Sequence, residues 1–278
     1  MVRALALALA LVAGLAHAGT AAPPRRVLSM NLCTDQLAML LAAPGQLVSV
    51  SWLAQDPLSS SMVAQARRLP ANHASAEEVF LTRPDLVLAG AWTAPETLRL
   101  LRHLGVPVAV FPIESDIAGI RANITRMGDV LGREAQASAL LAEFDADLAA
   151  LHDAAPGPRP RAALYAANGY SSGSDSLGGQ IIALAGFDNL ADEMGIRGTG
   201  NIALEQLLLA RPDLVIRDRP ARGHSRAEDL LDHPGLQALA QSGTQMLSAG
   251  PEWVCGTPHV LHAVAELRAA RLRQEPEP

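Results

Sequence analysis

The sequence predicts an α/β protein made of two similar lobes, each containing a parallel β-sheet. Three observations support this fold class. One stretch of sequence occurs twice, short apolar runs alternate with segments of helical periodicity, and a long helical segment separates the two copies. Alternation of strands and helices is typical of parallel sheets, whose neighbouring strands are joined by right-handed crossovers.

The duplicated stretch is the most informative feature. EEVFLTRPDLV, residues 77–87, aligns without gaps with EQLLLARPDLV, residues 205–215. Each copy predicts a helix that stops at a proline, because proline interrupts helices, and then a buried strand, at 86–89 or 214–216. The offset of 128 residues is about the size of a small domain and too long for a solenoid repeat.

Other strands are predicted at matching places in the two lobes. Residues 26–30 and 161–166 open the lobes, and residues 106–111 follow a helix at 95–103. Apolar residues then recur with helical spacing over about 115–152, which predicts a single long connector helix, with two abutting helices as the alternative if Gly132 interrupts it. The predicted domains are lobe one at 19–114, connector helix and linker at 115–155, and lobe two at 156–278.

The first 18 residues have the pattern of a secretory signal peptide. Arg3 is followed by an apolar run over 4–15 and by Ala-His-Ala at 16–18, which fits the small-x-small cleavage rule. The apolar run is shorter than the roughly 20 residues of a membrane span. We therefore expect a mature chain that is soluble and outside the cytoplasm.

The charge of the chain argues against nucleic acid as a partner. The formal net charge is -6, and the sequence contains no lysine. A protein that binds nucleic acid needs basic residues to neutralise the phosphate backbone. We predict no nucleic-acid partner.

All three tryptophans are predicted at the ends of strands. Trp52 follows a strand at 47–50, Trp92 follows the strand at 86–89, and Trp253 follows a strand at 245–247. Ligands of parallel α/β sheets bind beyond these carboxyl ends. Only 3% of the residues are aromatic, so this placement favours a rigid apolar ligand surface, to which Tyr170 adds a fourth ring.

Cys33 and Cys255 are predicted to face the same cleft from opposite lobes. In an oxidising compartment they can form a disulfide. Two thiolates, with His259 or His73 nearby, could instead ligate a soft metal or the metal centre of a chelate. Two unpaired structural cysteines are the third alternative.

Two further motifs invite other interpretations. Gly-Tyr-Ser-Ser-Gly at 169–173 matches the nucleophile elbow of a secreted α/β hydrolase that would use Ser171, although the elbow requires a helix directly after the serine and the following residues have loop composition. Residues 198–203 are predicted as a cleft loop of lobe two. Thr199 and Asn201 there either donate hydrogen bonds to a ligand or belong to a plain turn.

In this order, the features resemble the periplasmic binding proteins of ABC importers for vitamin B12, ferric siderophores and haem. The resemblance covers nearly the whole mature chain. It is carried by RVLSMN at 26–31 with Thr34 and Asp35, by VSVS at 48–51, by the duplicated helix and RPDLV element, by LGVPV at 104–108 and by the connector helix.

The resemblance implies two Rossmann-like lobes bridged by one long helix, with the ligand between them. The ligand would be a metal chelate (cobalamin, ferric siderophore or haem) delivered to an ABC permease dimer in the inner membrane, onto which Glu77 and Glu205 would dock. Both carboxylates also favour a helix start. We also predict a periplasmic, monomeric protein without catalytic activity or resident cofactor. Cys33 and Cys255 are not part of the general family pattern, and a non-transport sensor on the same fold is the alternative function.

Overall fold

The computed structural model describes residues 22–152, 158–219 and 226–273. The predicted signal peptide and part of the predicted linker lie outside these ranges. Within them, no helix has both the length and the apolar character needed to cross a membrane.

The first lobe contains a five-stranded sheet in the order β3-β2-β1-β4-β5, and all of its strands are parallel. The strands are β1 (Val27–Ser29), β2 (Leu47–Ser51), β3 (Ala71–Asn72), β4 (Leu86–Gly90) and β5 (Val108–Phe111). The helices are α1 (Leu32–Leu41), α2 (Val63–Ala66), α3 (Ala76–Leu81) and α4 (Pro95–His103), with a 3-10 turn at Trp52–Gln55. The strand order reverses between β1 and β4, which is where ligands bind in open α/β sheets.

The second lobe repeats this plan with one strand fewer. Its parallel sheet has the order β11-β10-β6-β8, and β7 and β9 form a separate antiparallel pair. The strands are β6 (Arg161–Tyr165), β7 (Tyr170–Ser172), β8 (Asp188–Asn189), β9 (Thr199–Asn201), β10 (Leu214–Arg217) and β11 (Gln245–Ser248). The helices are α7 (Leu177–Leu184), α8 (Leu190–Glu193), α9 (Leu204–Ala210), α10 (Pro234–Gln241) and α11 (Val260–Leu272). Short 3-10 turns lie at Ala167–Gly169, Asp229–Asp232 and Pro251–Trp253. Two lobes with parallel sheets are confirmed.

The connector differs from the single helix predicted from the sequence. It is a pair of helices, α5 (Ile117–Leu131) and α6 (Glu134–His152), which run antiparallel, as the ion pair between Arg121 and Asp145 at 2.7 Å requires. The break occurs because Gly132 adopts a left-handed conformation with φ of 64°, which ends α5. Helix α5 packs against α1 of lobe one, and helix α6 packs against α11 of lobe two.

The duplicated Arg-Pro-Asp sequence makes the same contacts in both lobes. The Asp85 carboxylate accepts a hydrogen bond from the backbone N–H of Arg26 at 2.9 Å, and the Asp213 carboxylate accepts one from that of Arg161 at 2.6 Å. The side chains of Arg26 and Arg161 each donate to a carbonyl at the end of α3 or α9. This Arg-Asp clamp ties the duplicated helix to the first strand of its sheet.

One apolar core extends through both lobes. It includes Leu37 of α1, Phe144 of α6 and Val264 of α11, all buried in the same cluster. Each sheet also has one smaller apolar cluster on its opposite face. Since the connector helix contributes to the shared core, the lobes are packed together as well as linked by the chain.

We predict that Asp213→Ala lowers the free energy of unfolding by about 1–3 kcal/mol, because the backbone N–H of Arg161 loses its acceptor. Urea unfolding followed by circular dichroism measures the change. Asp147→Ala, on the exposed side of α6, is the control and should stay within about 0.5 kcal/mol of the parent. Equal effects of the two substitutions would contradict a structural role of the clamp.

Candidate ligand-binding cleft

A cleft lies between the lobes, at the carboxyl ends of the two parallel sheets. It consists of a larger compartment of about 890 Å³ and a smaller compartment of about 430 Å³, each lined by residues of both lobes. The two compartments share Ser172, Gly178, Trp253 and Val254, all from lobe two. The two compartments therefore adjoin at these four residues.

The larger compartment combines apolar surface with equal numbers of positively and negatively charged side chains. Trp52, which is 50% exposed, and Trp253 supply indole rings from opposite lobes. The charged residues of its lining are Arg67 and Asp56 from lobe one and Arg219 and Asp218 from lobe two. Partial burial raises the pKa of the Asp218 carboxyl above its usual value.

The smaller compartment lies at the reversal of strand order in lobe one. Its lining includes Trp92, which is 84% exposed, Ile113 and the buried carboxyl of Glu114. Asn123 of α5 donates a hydrogen bond to Glu114, and burial raises the pKa of this carboxyl. Among the described lining residues the other acid is Asp175, which forms an ion pair with Arg197 at 2.9 Å.

Two of the shared residues, Trp253 and Val254, belong to a loop of lobe two that crosses to lobe one. This cross-lobe loop comprises residues 250–257 and follows β11. Cys255 within it forms a disulfide with Cys33 of α1, across a sequence separation of 222 residues. Of the three alternatives open for these cysteines, the structure has the disulfide, and neither sulfur is a free thiolate that could ligate a metal.

Two further contacts hold the cross-lobe loop against lobe one. The backbone of Gly256 lies so close to the Glu114 side chain that a Cβ atom would overlap it. The Thr257 hydroxyl donates to the side-chain oxygen of Gln36 on α1 at 3.5 Å. The loop is therefore fixed at three neighbouring positions, and the two residues before them, Trp253 and Val254, line both compartments.

The buried carboxyl of Asp35 stabilises the backbone next to Trp52, a lining residue of the larger compartment. Asp35 of α1 accepts hydrogen bonds from the backbone N–H and the hydroxyl of Ser51, the residue just before Trp52. Desolvation by burial raises the pKa of Asp35 to about 7. These two hydrogen bonds hold the end of β2 in place, and with it the start of the 3-10 turn that carries Trp52.

The predicted site residues divide into two groups. Those in the lining of a compartment are Cys33, Trp52, Trp92, Thr199 and Trp253, and the disulfide adds the buried Cys255. Those outside both linings are His73, Tyr170, Asn201 and His259. The predicted loop at 198–203 is in part a strand, β9, so the Asn201 amide donates to the Asn168 carbonyl at 3.0 Å instead of projecting from a turn.

Neither of the two histidines considered as metal ligands lies in the lining of the cleft. His73 is exposed and lies 3.6 Å from Glu78 on lobe one. His259 is packed against His262, and its buried Nε2 has no hydrogen-bond partner. Burial lowers the pKa of His259, which favours the neutral ring. No group of three potential metal ligands occurs in the described ranges, so the metal set of Cys33, Cys255 and His259 is wrong.

The hydrolase interpretation of Ser171 is also wrong. Ser171 lies inside β7, paired with Gly200 of β9, and it is fully buried. A nucleophile elbow requires an exposed serine on a sharp turn between a strand and a helix. The serine is thus part of the sheet interior.

Glu77 and Glu205 occupy equivalent exposed positions, each the second residue of its helix. Four residues later in each helix comes an exposed leucine, Leu81 at 79% and Leu209 at 84% exposure. Residues four apart lie on the same helix face. Each lobe therefore presents the same pair of a carboxylate and an apolar side chain.

Several lining residues escaped the sequence-based prediction. Arg67, Asp218 and Arg219 lie in loops with no recognisable spacing, and Glu114 follows β5 as a single acid. The rule that ligands bind at strand ends was a usable signal for Glu114 and Asp218, because each follows a predicted strand within three residues.

Two packed α/β lobes with a cleft at the ends of their parallel strands have the architecture of a solute-binding protein. Comparison of the sequence with protein-family models gives the same class. The model described as "Periplasmic binding protein" matches residues 27–241, and the chain belongs to this family.

Individual relatives agree with this assignment. A cobalamin-binding protein of Halobacterium salinarum is 28% identical over 198 residues, which are 69% of this chain and 53% of the relative. The chain thus spans about half the length of the curated relative it matches.

Solved structures share the fold. The periplasmic haem-binding protein HutB of Vibrio cholerae has a TM-score of 0.73 at 22% identity, over 88% of this chain and 98% of the other. The periplasmic vitamin B12 binding protein BtuF of Vibrio cholerae has a TM-score of 0.69 at 20% identity, over 91% and 99% of the two chains.

We predict that the double substitution Cys33→Ser and Cys255→Ser lowers the free energy of unfolding by about 2–5 kcal/mol, because the unfolded chain is no longer closed into a long loop. Thermal and urea unfolding under non-reducing conditions measure the loss. Val254→Ser, at an exposed position of the same loop, is the control and should change the free energy by about 0.5 kcal/mol or less. Unchanged unfolding of the double variant would contradict the disulfide.

Proposed function

We propose that this chain is the ligand-capturing component of an ABC importer for a metal chelate of the corrinoid type. The ligand is held in the cleft between the lobes. The observation that carries the proposal is the chemistry of the larger compartment, where two indole rings, Trp52 and Trp253, meet a set of balanced charges. The cobalamin-binding relative supports the same class of ligand.

The lining of the larger compartment favours a metal that is already fully coordinated. Among its described residues there is no histidine, methionine, tyrosine or cysteine, the side chains that complete the coordination of haem iron. A corrinoid or a ferric siderophore encloses its metal without help from the protein. The lining therefore favours corrinoids and ferric siderophores over haem as the ligand.

The charges of the compartment favour a corrinoid over a ferric siderophore of the catecholate type. Arg67 and Arg219 face the ligand together with Asp56 and Asp218. A ferric catecholate complex carries several negative charges and needs an excess of cations around it. A corrinoid is close to neutral overall and presents amide groups, which suit mixed donors and acceptors beside indole rings.

We expect isothermal titration calorimetry to detect one cobalamin bound per chain, with weaker binding of haemin and of ferric catecholates. Trp52→Ala should weaken cobalamin binding roughly 10-fold, because stacking on the indole is lost. Tyr170→Ala is the matched control, since Tyr170 lies outside both compartments, and its affinity should equal that of the parent. Absence of cobalamin binding, or tighter binding of haemin, would refute the corrinoid assignment.

The docking partner that we propose is the permease dimer of the importer. A two-fold dimer presents each contact twice, and the binding protein offers two equivalent pairs, Glu77 with Leu81 and Glu205 with Leu209. The carboxylates suit basic residues of the permease, while the leucines suit apolar surface next to them. The duplicated clamp supports this by giving the two helices the same attachment to their sheets.

Reversal of both charges, Glu77→Lys with Glu205→Lys, should abolish uptake of the ligand and leave ligand affinity unchanged, because both sites are exposed and outside the cleft. Uptake of labelled cobalamin by cells measures the first effect, and calorimetry measures the second. Glu143→Lys with Glu266→Lys, at exposed sites of the connector and α11, is the charge-matched control. Normal uptake by the double docking variant would exclude the assignment.

The remaining parts of the proposal follow from export. Residues 1–18 act as a signal peptide that directs the chain to the periplasm, where the disulfide forms and a monomer binds its ligand without changing it chemically. A ligand sensor on the same fold would bind cobalamin equally well. Uptake would not depend on docking of such a sensor, so cells carrying the Glu77→Lys and Glu205→Lys variant would take up the ligand normally.

A further inference from the structure

Asp35 is a fully buried carboxyl that lies near the cleft but outside its lining. It belongs to the first turn of α1, two residues after Cys33, and its exposure is 0%. The backbone N–H of Ser51 lies 3.1 Å from one carboxyl oxygen and 3.2 Å from the other, and the Ser51 hydroxyl also bonds this carboxyl. A single residue therefore provides both a main-chain and a side-chain contact to Asp35.

The elements packed against α1 place no balancing charge beside Asp35. Strands β1, β2 and β4 and the 3-10 turn after β2 contain no titratable residue. Helix α5 also packs against α1, and its charged side chains are either exposed or bound to another helix. These side chains are Arg121, Arg126 and Asp129.

The seam with lobe two does not supply a balancing charge either. The titratable residues around this seam include Glu114, Asp175, Glu252, His259 and His262. None of them is among the causes that shift the pKa of Asp35. Burial raises this pKa to about 7, against the opposing effect of hydrogen bonds with Ser29 and Ser51.

The two protonation states of Asp35 interact differently with Ser51. A protonated carboxyl donates one hydrogen bond and accepts others, whereas an ionised carboxylate only accepts. The neutral form satisfies both groups of Ser51, because it accepts from the backbone N–H and donates to the side-chain oxygen. The ionised form keeps the contacts but buries a charge without a cation, which costs free energy unless water reaches it.

Hydration of Asp35 requires movement at the end of β2. Ser51 is itself only 4% exposed, so the carboxyl and its partner are closed off together. The next residue, Trp52, begins a 3-10 turn that has no side-chain cap and is 50% exposed. Segments with few stabilising contacts open locally at the lowest cost in free energy. Opening at this point displaces the indole of Trp52 from the larger compartment.

The direction of the pH effect follows from thermodynamic linkage. The closed arrangement raises the pKa of Asp35, and opening to water returns this pKa towards its ordinary range. Protonation therefore favours the closed arrangement, which loses stability as the pH rises through about 7. A ligand stacked on Trp52 holds the same turn in place, so ligand binding and protonation favour the same state.

We propose that Asp35 is a positioning residue that couples ligand capture to proton uptake. In its neutral form it holds Ser51 and the indole of Trp52 in the arrangement that binds ligand, and in its ionised form it favours the entry of water and the displacement of that indole. This coupling rests on the proposed function, since the ligand is assigned to the compartment that Trp52 lines.

Calorimetry with cobalamin at pH 6 and pH 8 tests the coupling. The parent protein should bind roughly fivefold more tightly at pH 6, the order expected when ligand binding raises the pKa of one carboxyl. Asp35→Asn, an uncharged isostere, should bind equally within about twofold at both pH values and more tightly than the parent at pH 8. If Asp35 only supported the fold, its substitution would weaken binding. Asp129→Asn, at an exposed site of α5, is the control and should keep the pH dependence of the parent.

Two further measurements do not depend on binding by Asp35→Asn. In the double variant Trp92→Phe with Trp253→Phe, Trp52 is the remaining tryptophan. Without ligand, its fluorescence should change with a midpoint near pH 7, and adding Asp35→Asn should remove this transition. Trp52→Ala should bind cobalamin equally within about twofold at pH 6 and pH 8, and this variant leaves the buried carboxyl in place. Circular dichroism verifies the folding of each variant.

The outcomes distinguish the coupling from the proposed function. The same pH dependence of cobalamin binding in the parent and in Asp35→Asn would overturn the coupling, as would tighter binding by the parent at pH 8. If Trp52 fluorescence titrates in an Asp35-dependent manner and cobalamin does not bind, the positioning role stands and the corrinoid assignment fails. If cobalamin binds the parent equally tightly at both pH values, the corrinoid assignment stands and the coupling fails.

Discussion

The disulfide between Cys33 and Cys255 is the constraint on which the cleft depends. It joins the second residue of α1 to a loop of the other lobe and so fixes where the lobes meet. The loop carries Trp253 and Val254 between two compartments, and Gly256 closes against Glu114 beside it. With the shared apolar core around Phe144, this bond limits the lobes to small relative movements at the seam.

The duplication in the sequence was enough to predict the lobes, because each copy of the Arg-Pro-Asp sequence ends a helix and starts a buried strand. The strand ends were enough to place all three tryptophans in the cleft. Tyr170 and Asn201 were misplaced because β7 and β9 pair with each other, a contact between distant residues that no local pattern reveals. The single connector helix was the wrong one of two alternatives, because a glycine can either continue a helix or end it in a left-handed conformation, as Gly132 does with φ of 64°.

The two lobes are alike in their frame and different in their loops. Both contain the Arg-Asp clamp and the same order of four parallel strands, yet the arginines, acids and indoles of the cleft have no repeated pattern. The frame is set by backbone hydrogen bonds and burial, which a duplicated sequence preserves. The lining is set by single residues at strand ends, and these positions are free to differ without cost to the fold.

The Arg-Asp clamp has a mechanical consequence. In each lobe it fastens the helix that bears the exposed glutamate to a strand whose other end reaches the cleft, so the glutamate and the cleft wall belong to one hydrogen-bonded unit. Because the seam between the lobes is pinned by a covalent bond, any tilt of one lobe pivots about that point. A tilt of this kind would change the distance between Glu77 and Glu205 on the outer surface.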